Sequence, residues 1–109
     1  MPEPTLVQIF GANATQDAAT VTLHKADFAA TGFTPASSNT AESILGGILA
    51  FSQPTLTAVN QASNPDQSVI ISDSNDNLVT RATVQYRRKT KVVSFDKPDS
   101  GTTFNPSDY

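Results

Sequence analysis

Apolar residues in the first third of the chain fall in short runs separated by polar turns. Residues 6–10 read as a strand that ends at Gly11, and residues 19–23 alternate, with Val21 and Leu23 on one face. Residues 25–30 have the character of a short helix, and Gly32 is suited to end it. This part of the chain therefore predicts two strands followed by one short helix.

The clearest helical pattern lies in the middle of the chain. Asn39 and Glu42 have the spacing of a capping box, and an apolar stripe follows at helical spacing. We predict a helix from about residue 40 to residue 52, ended by Pro54. Gly46 and Gly47 lie inside it; they indicate either the close approach of another part of the chain or a weak helix.

The second half of the chain is β-rich. Residues 55–59 fit a strand or a continued helix, 64–66 a turn, 68–72 a strand and 73–77 a tight polar turn. Residues 78–95 contain no Gly or Pro, and their apolar residues lie mainly at even-numbered positions before residue 87 but include odd-numbered positions after residue 91. A strand over these residues must therefore bulge or turn near residues 87–91, or place Phe95 on the opposite side of the sheet. A hairpin at residues 88–90 is possible, but no Gly or Asn supplies positive φ there, so we predict one long bent strand.

Together these elements predict a small single-domain α+β protein. One main helix packs on a mostly antiparallel sheet or open barrel of four to six strands, with extended termini. Residues 1–4 form an N-terminal arm, 5–96 the domain, and 97–109 a C-terminal arm rich in Pro, Ser, Asp and Thr. The predicted core is Phe10, Val21, Leu23, Ile44, Leu45, Ile48, Leu49, Ile70 and Val84.

Composition narrows the class of protein. Hydrophobic residues make up 38% of the 109 residues and charged residues only 16%, with 14 Thr, 11 Ser and 7 Asn among the rest. The absence of cysteine excludes disulfides, a thiol nucleophile and cysteine-bound metal. The first residues do not have the pattern of a signal peptide, and no apolar run reaches the roughly 20 residues that a membrane helix needs. We expect cytoplasmic synthesis and no membrane partner.

Residues that could support catalysis or metal binding are few. His24 is the only histidine, and the pattern around it favours a surface position. The acidic stretch at 73–77 resembles a calcium loop, but Leu78 and Val84 stand where an EF-hand needs Gly and Glu. Hydrogen bonding of these side chains to their own backbone is the simpler interpretation, although a looser cation site fits the composition. We predict no enzyme activity, no cofactor and no metal.

Positive charge is concentrated in one segment. Five of the seven basic residues lie between Arg81 and Lys91, and that interval contains no acid. Three interpretations are open: contact between subunits, protection of a sheet edge, and binding of nucleic acid. Because the whole chain is acidic, with a sequence pI of about 4.7, nucleic acid is not the expected partner. The predicted protein-contact residues are Arg81, Tyr86, Arg87, Arg88, Lys89, Lys91, Phe104 and Tyr109.

Four segments carry a resemblance that runs along most of the chain: PEPTLVQIFGANATQ at 2–16, NTAES at 39–43, NPDQS at 64–68 and NPSDY at 105–109. They resemble small, mostly uncharacterised proteins of cyanobacteria and their phages. The resemblance implies a structural part of a phage particle, such as a capsid cement, neck or tail protein, located in the virion. Its expected partners are copies of itself and other virion proteins. A monomeric ligand- or protein-binding module and a nucleic-acid binder are the alternatives.

Overall fold

The computed structural model describes residues 3–99 and 101–109. Its elements run in the order α1 (Leu6–Phe10), β1 (Thr15–Gln16), β2 (Val21–Thr22), a 3₁₀ helix (Lys25–Thr31), α2 (Ala41–Ser52), α3 (Ala58–Ser63), β3 (Val69–Arg81), β4 (Val84–Phe95) and a short 3₁₀ helix (Pro106–Asp108). The predicted single-domain α+β class is confirmed. The predicted sheet or barrel of four to six strands is wrong: the described residues form two separate antiparallel sheets of two strands each.

A threonine side chain caps each of the three α-helices in the described part of the chain. Thr5, Thr40 and Thr57 each have extended backbone and accept a hydrogen bond from the N–H three residues ahead. At α1 the cap is reciprocal, because Gln8 Oε1 accepts from the N–H of Thr5 at 2.8 Å. The strand predicted at residues 6–10 is therefore wrong. Its apolar run is equally compatible with one helical turn, and the Thr5–Gln8 pair decides the choice.

Helix α2 matches its prediction apart from the cap. Thr40 caps the helix through the N–H of Ser43, whereas Asn39 joins the preceding loop by accepting from the N–H of Ala36 at 3.0 Å. Gly47 is buried, and a methyl group added there would lie 3.3 Å from the ring of Phe33. The other helical glycine, Gly46, faces open space. Gly47 therefore allows close packing, as one of the two interpretations predicted, and the group that packs against it is the ring of Phe33.

A small aromatic cluster holds the helical part of the molecule together. Phe28 is 1% exposed, and its ring meets the rings of Phe33 and Phe51 edge-on at centroid distances of 6.3 and 5.6 Å. The 3₁₀ helix that carries Phe28 begins where the sequence predicted and ends at Gly32, whose φ is +98°. The buried apolar residues are Ala14, Phe28, Phe33, Leu56 and Ile71, none of which is in the predicted core.

The predicted core positions are exposed or only half-buried. Val21, Leu45 and Val84 are the most exposed of them, each at least half accessible to solvent. The others are partly buried. The two-stranded sheets are too small to cover a second face of the helices. The apolar stripe of α2 thus borders an open groove of about 260 Å³ between α1, α2 and the base of β3 and β4.

The molecule exposes more surface than a compact chain of its size. Its accessible surface is 7775 Å², whereas a folded 11.5 kDa monomer is expected to expose about 5,800 Å². The radius of gyration is 16.1 Å, compared with about 13 Å expected for 109 residues. Strands β3 and β4 account for this shape, because they form one long hairpin that extends away from the helices.

Candidate protein-contact surface

The hairpin of β3 and β4 contains six of the eight predicted contact residues. Its strands pair from Val69 with Phe95 at the base to Arg81 with Val84 at the tip. The tip is a two-residue turn at Ala82 and Thr83, with φ of +49° and +67°. The prediction of one bent strand over residues 78–95 is therefore wrong, as is a turn at 88–90.

The irregularity of the hairpin lies in β3. Asp73 pairs with Lys91 and Asp76 with Lys89, so β3 has one more residue than β4 in this interval. The tight turn predicted at residues 73–77 is wrong, because these residues continue the strand through the bulge. Strand β4 is regular throughout, which leaves Phe95 on the opposite side of the sheet from Tyr86, one of the outcomes that the sequence left open.

One side of the hairpin, which we term the Lys89 face, carries a row of ion pairs. Lys89 Nζ lies 2.7 Å from Asp76 Oδ2, and Arg87 approaches the other oxygen of the same carboxylate at 3.5 Å. Nearer the base, Lys91 Nζ lies 2.8 Å from Asp73 Oδ1 and donates to Gln53 Oε1 at 2.6 Å. Lys91 therefore joins the hairpin to the C-terminal end of α2.

These contacts change the acidity of one carboxyl. The hydrogen bond from Lys91 is the largest cause that lowers the pKa of Asp73 below its ordinary value, followed by a hydrogen bond with Gln53. Both partners stabilise the ionised carboxylate. Asp73 is thus paired with Lys91 and Asp76 with Lys89, an arrangement that suits a fixed strand register.

The other side of the hairpin, which we term the Tyr86 face, is apolar and basic. Arg81 lies over the ring of Tyr86, 4.3 Å from its centroid. Val79 pairs with Tyr86 across the strands, and Arg88 shares this face by strand alternation. Tyr86 is 40% exposed and Val84 50%. Tyrosine and arginine are enriched at the energetic centres of protein interfaces.

The outer edge of β3 is covered only at its base. The N–H of Ile71 donates outward to the carbonyl of Leu56 at 2.9 Å, and the α2–α3 connection thereby takes the place of a third strand. Across residues 3–99 and 101–109, neither β3 beyond Ile71 nor β4 makes another backbone hydrogen bond on its outer edge. Both edges of the distal hairpin are therefore available for pairing.

The last two predicted contact residues lie at the base of the hairpin. Phe104 and Tyr109 pack against Phe95 at centroid distances of 5.1 and 5.3 Å. Lys97 and Asp108 form an ion pair beside them, and the hydrogen bond that Lys97 donates to Asp108 raises the pKa of Lys97. The segment predicted as a C-terminal arm thus folds back on β4, roughly 36 Å from the tip at ~3.3 Å per residue.

Sequence reasoning missed three parts of this surface. It did not find the hairpin tip, the covered edge at Ile71, or the exposed apolar side chains of Leu78 and Val92. The exact pairing of Asp76 with Lys89 also depends on the bulge, which no sequence signal marks. A weak signal existed for the hairpin: two β-rich runs of similar length flank residues 82 and 83.

The remaining sequence candidates do not form a site. His24 is exposed and precedes the 3₁₀ helix without capping it through its side chain. Within the described residues no three side chains of His, Cys, Asp or Glu come close enough to hold a metal ion. No helix in the described ranges is long and apolar enough to cross a membrane.

Comparisons with protein-family models, with curated proteins and with solved structures found no match to this chain.

Proposed function

We propose that this chain is a structural component of a bacteriophage particle, a capsid cement or a neck or tail protein, which acts through protein–protein contacts made by its hairpin. The observation that carries the proposal is the unsupported distal hairpin. A two-stranded hairpin is marginally stable by itself in water. This one extends beyond the helices and exposes Leu78, Val84 and Tyr86 at 40–53%.

The excess surface supports the same interpretation. About 2,000 Å² more is exposed than in a compact monomer of this mass. A standard protein interface buries about 800 Å² on each partner. The excess is therefore large enough for contacts with neighbouring chains, and subunit burial would compensate for the small core around Phe28.

The charge distribution also favours protein partners. Residues 69–95 carry five basic and two acidic side chains, net +3, and the other residues carry two basic and eight acidic side chains, net −6. A chain with separate basic and acidic segments is able to complement further copies of itself. Because the hairpin carboxylates are already paired with lysines, we propose binding, and not catalysis, as the activity of this surface.

The assignment to a phage particle is supported by the resemblance of residues 2–16, 39–43, 64–68 and 105–109 to proteins of cyanobacteria and their phages. It implies a location in the virion, with copies of the chain and other virion proteins as partners. This part of the proposal does not depend on the hairpin, and it has its own test.

The test is quantitative mass spectrometry of purified particles from a phage whose genome encodes this chain. We expect its peptides in the particle at a copy number comparable to those of other structural proteins, retained after nuclease treatment and repeated washing at low salt. Absence of the peptides from particles, combined with their presence in the infected-cell lysate, would overturn the proposal and favour a monomeric binding module.

A further inference from the structure

We infer that the hairpins of successive copies pair edge to edge and head to tail, with β4 of one copy against the distal part of β3 of the next. The inference rests on the proposed function, because it names the partner of the same surface. It follows from three observations: two open edges, unequal charge on the two strands, and a covered edge at the base of β3.

The unequal charge selects which edges meet. Strand β4 carries Arg87, Arg88, Lys89 and Lys91 and no acid, whereas β3 beyond Ile71 carries Asp73, Asp76 and the terminal Arg81. Pairing β4 with β4 would place basic side chains opposite each other, which destabilises a sheet. Pairing β3 with β3 would bring the aspartates together. Only β4 against β3 places basic strands on both sides of each acidic strand.

The alternation extends ion pairs that the hairpin already contains. Asp76 accepts from Lys89 of its own β4 on one side, and its carboxylate remains 42% exposed. A β4 strand from the next copy would place a further cation on the other side of Asp76. The row of alternating charges would then run continuously across the subunit boundary, on the Lys89 face.

The covered edge limits where the incoming strand can bind. At Ile71 the carbonyl of Leu56 already occupies the outward N–H. A neighbouring strand can therefore pair with β3 only beyond this residue, and the bulge between Asp73 and Asp76 moves regular pairing farther toward the tip. Residues 76–81 form the uninterrupted receptor edge.

Head-to-tail contact uses two different surfaces of each copy. Two patches of about 800 Å² together approach the excess of about 2,000 Å² by which this chain departs from a compact monomer. A two-fold dimer would use one self-complementary patch and leave the other strand edge open. The amount of exposed surface therefore agrees with two contacts per copy, one through the edge of β4 and one through the edge of β3.

The difference in width between the hairpin and the rest of the chain determines the curvature of an array of paired hairpins. Each hairpin occupies about 10 Å across two strands, whereas the chain is 26 Å across in its thinnest direction. The helices border the Lys89 face of the hairpin base, at Ile71 and Val93. Curvature of the sheet with the Tyr86 face inside keeps the helical parts of neighbouring copies apart. The array is thus curved, which a ring satisfies and a flat sheet does not.

Cross-linking of single-cysteine variants tests the pairing. Because the sequence contains no cysteine, each variant has one reactive thiol at a known position. Thr80→Cys labels β3 and Gln85→Cys labels β4; both residues are exposed and uncharged. The variants, checked for folding by circular dichroism, are mixed at high salt, returned to low salt and treated with a short bismaleimide. We expect a covalent dimer in the mixture and little in either variant alone.

A charge control strengthens the experiment. Asp76→Asn in the Thr80→Cys chain should strongly reduce the dimer, whereas Asp66→Asn, at an exposed acid outside the hairpin, should leave it unchanged. Dimer formation by Gln85→Cys alone, or no dimer in the mixture, would overturn the head-to-tail inference. Neither result depends on whether the chain is found in particles, so the inference and the proposed function can fail separately.

Discussion

The N–H of Ile71 donates a hydrogen bond to the carbonyl of Leu56 at 2.9 Å, and this bond separates the supported part of the hairpin from the free part. On the helical side of it, apolar residues of β3 and β4 border α2. Beyond it, the strands contact mainly each other. The stability of the distal hairpin therefore depends on its own turn, its ion pairs and its partners, and each of these can be tested.

The hairpin tip provides the first prediction. Thr83 is β-branched and has φ of +67°, a left-handed conformation that costs roughly 1–2 kcal/mol in residues other than glycine. Thr83→Gly should therefore stabilise the hairpin and slow amide hydrogen exchange in the distal strands. Thr80→Gly, the same change within β3, should accelerate exchange because glycine weakens a strand. Faster exchange in both variants would contradict a turn at residues 82 and 83.

The two glycines of α2 provide a matched pair. Gly46→Ala should raise the free energy of unfolding by about 1 kcal/mol, because alanine favours a helix and the site faces open space. Gly47→Ala should raise it less or lower it, since the new methyl group would lie 3.3 Å from the ring of Phe33. Denaturant unfolding measures both values. A larger gain at Gly47 would contradict the packing of Phe33 on α2.

The pairing of Asp73 with Lys91 predicts a pH dependence. Because the pKa of Asp73 is lower in the folded state than in the unfolded chain, its stabilising contribution is complete above the unfolded value, about 3.9. The contribution is lost as the pH falls through the folded pKa. Carboxyl NMR titration should give a midpoint below that of an ordinary aspartate. Lys91→Met should raise the midpoint, and Lys25→Met, outside the hairpin, should not.

The C-terminal segment should depend on a single ring. Phe95 contacts both Phe104 and Tyr109, and each aromatic pair contributes about 0.5–1.5 kcal/mol. Phe95→Ala should therefore release residues 104–109, seen as lower backbone NMR order parameters, whereas Phe95→Leu should retain more of the contact. Unchanged order parameters in the alanine variant would show that the ion pair of Lys97 and Asp108 is sufficient to hold the segment.

Local signals in the sequence predicted two of the helical segments. The helix at Ala41–Ser52 and the 3₁₀ helix ended by Gly32 follow from an apolar stripe and from a glycine with positive φ. Helix α1 could have been found from the pair Thr5 and Gln8, because this pair has the spacing of a capping box. These features are decided within a few residues, where propensity and capping act.

Pairing between distant residues could not be predicted in the same way. The hairpin turns at Ala82 and Thr83, two residue types that rarely adopt positive φ, because eleven cross-strand pairs outweigh an unfavourable turn. The Asp and Asn residues at 73–77 are of types that usually form turns, but here they continue β3, where Asp73 pairs with Lys91 and Asp76 with Lys89. For the contact surface, the sequence located the positive charge but not its acidic partners.

The central claim is that this hairpin joins the chain to copies of itself, and light scattering of the purified protein over a range of concentrations tests it most directly. We expect a molar mass that exceeds 11.5 kDa and rises with concentration at low salt. A variant in which residues 77–88 are replaced by an Asn-Gly turn should keep the helical core and remain monomeric. A constant mass of 11.5 kDa for the unmodified chain at every concentration and salt condition would contradict the account.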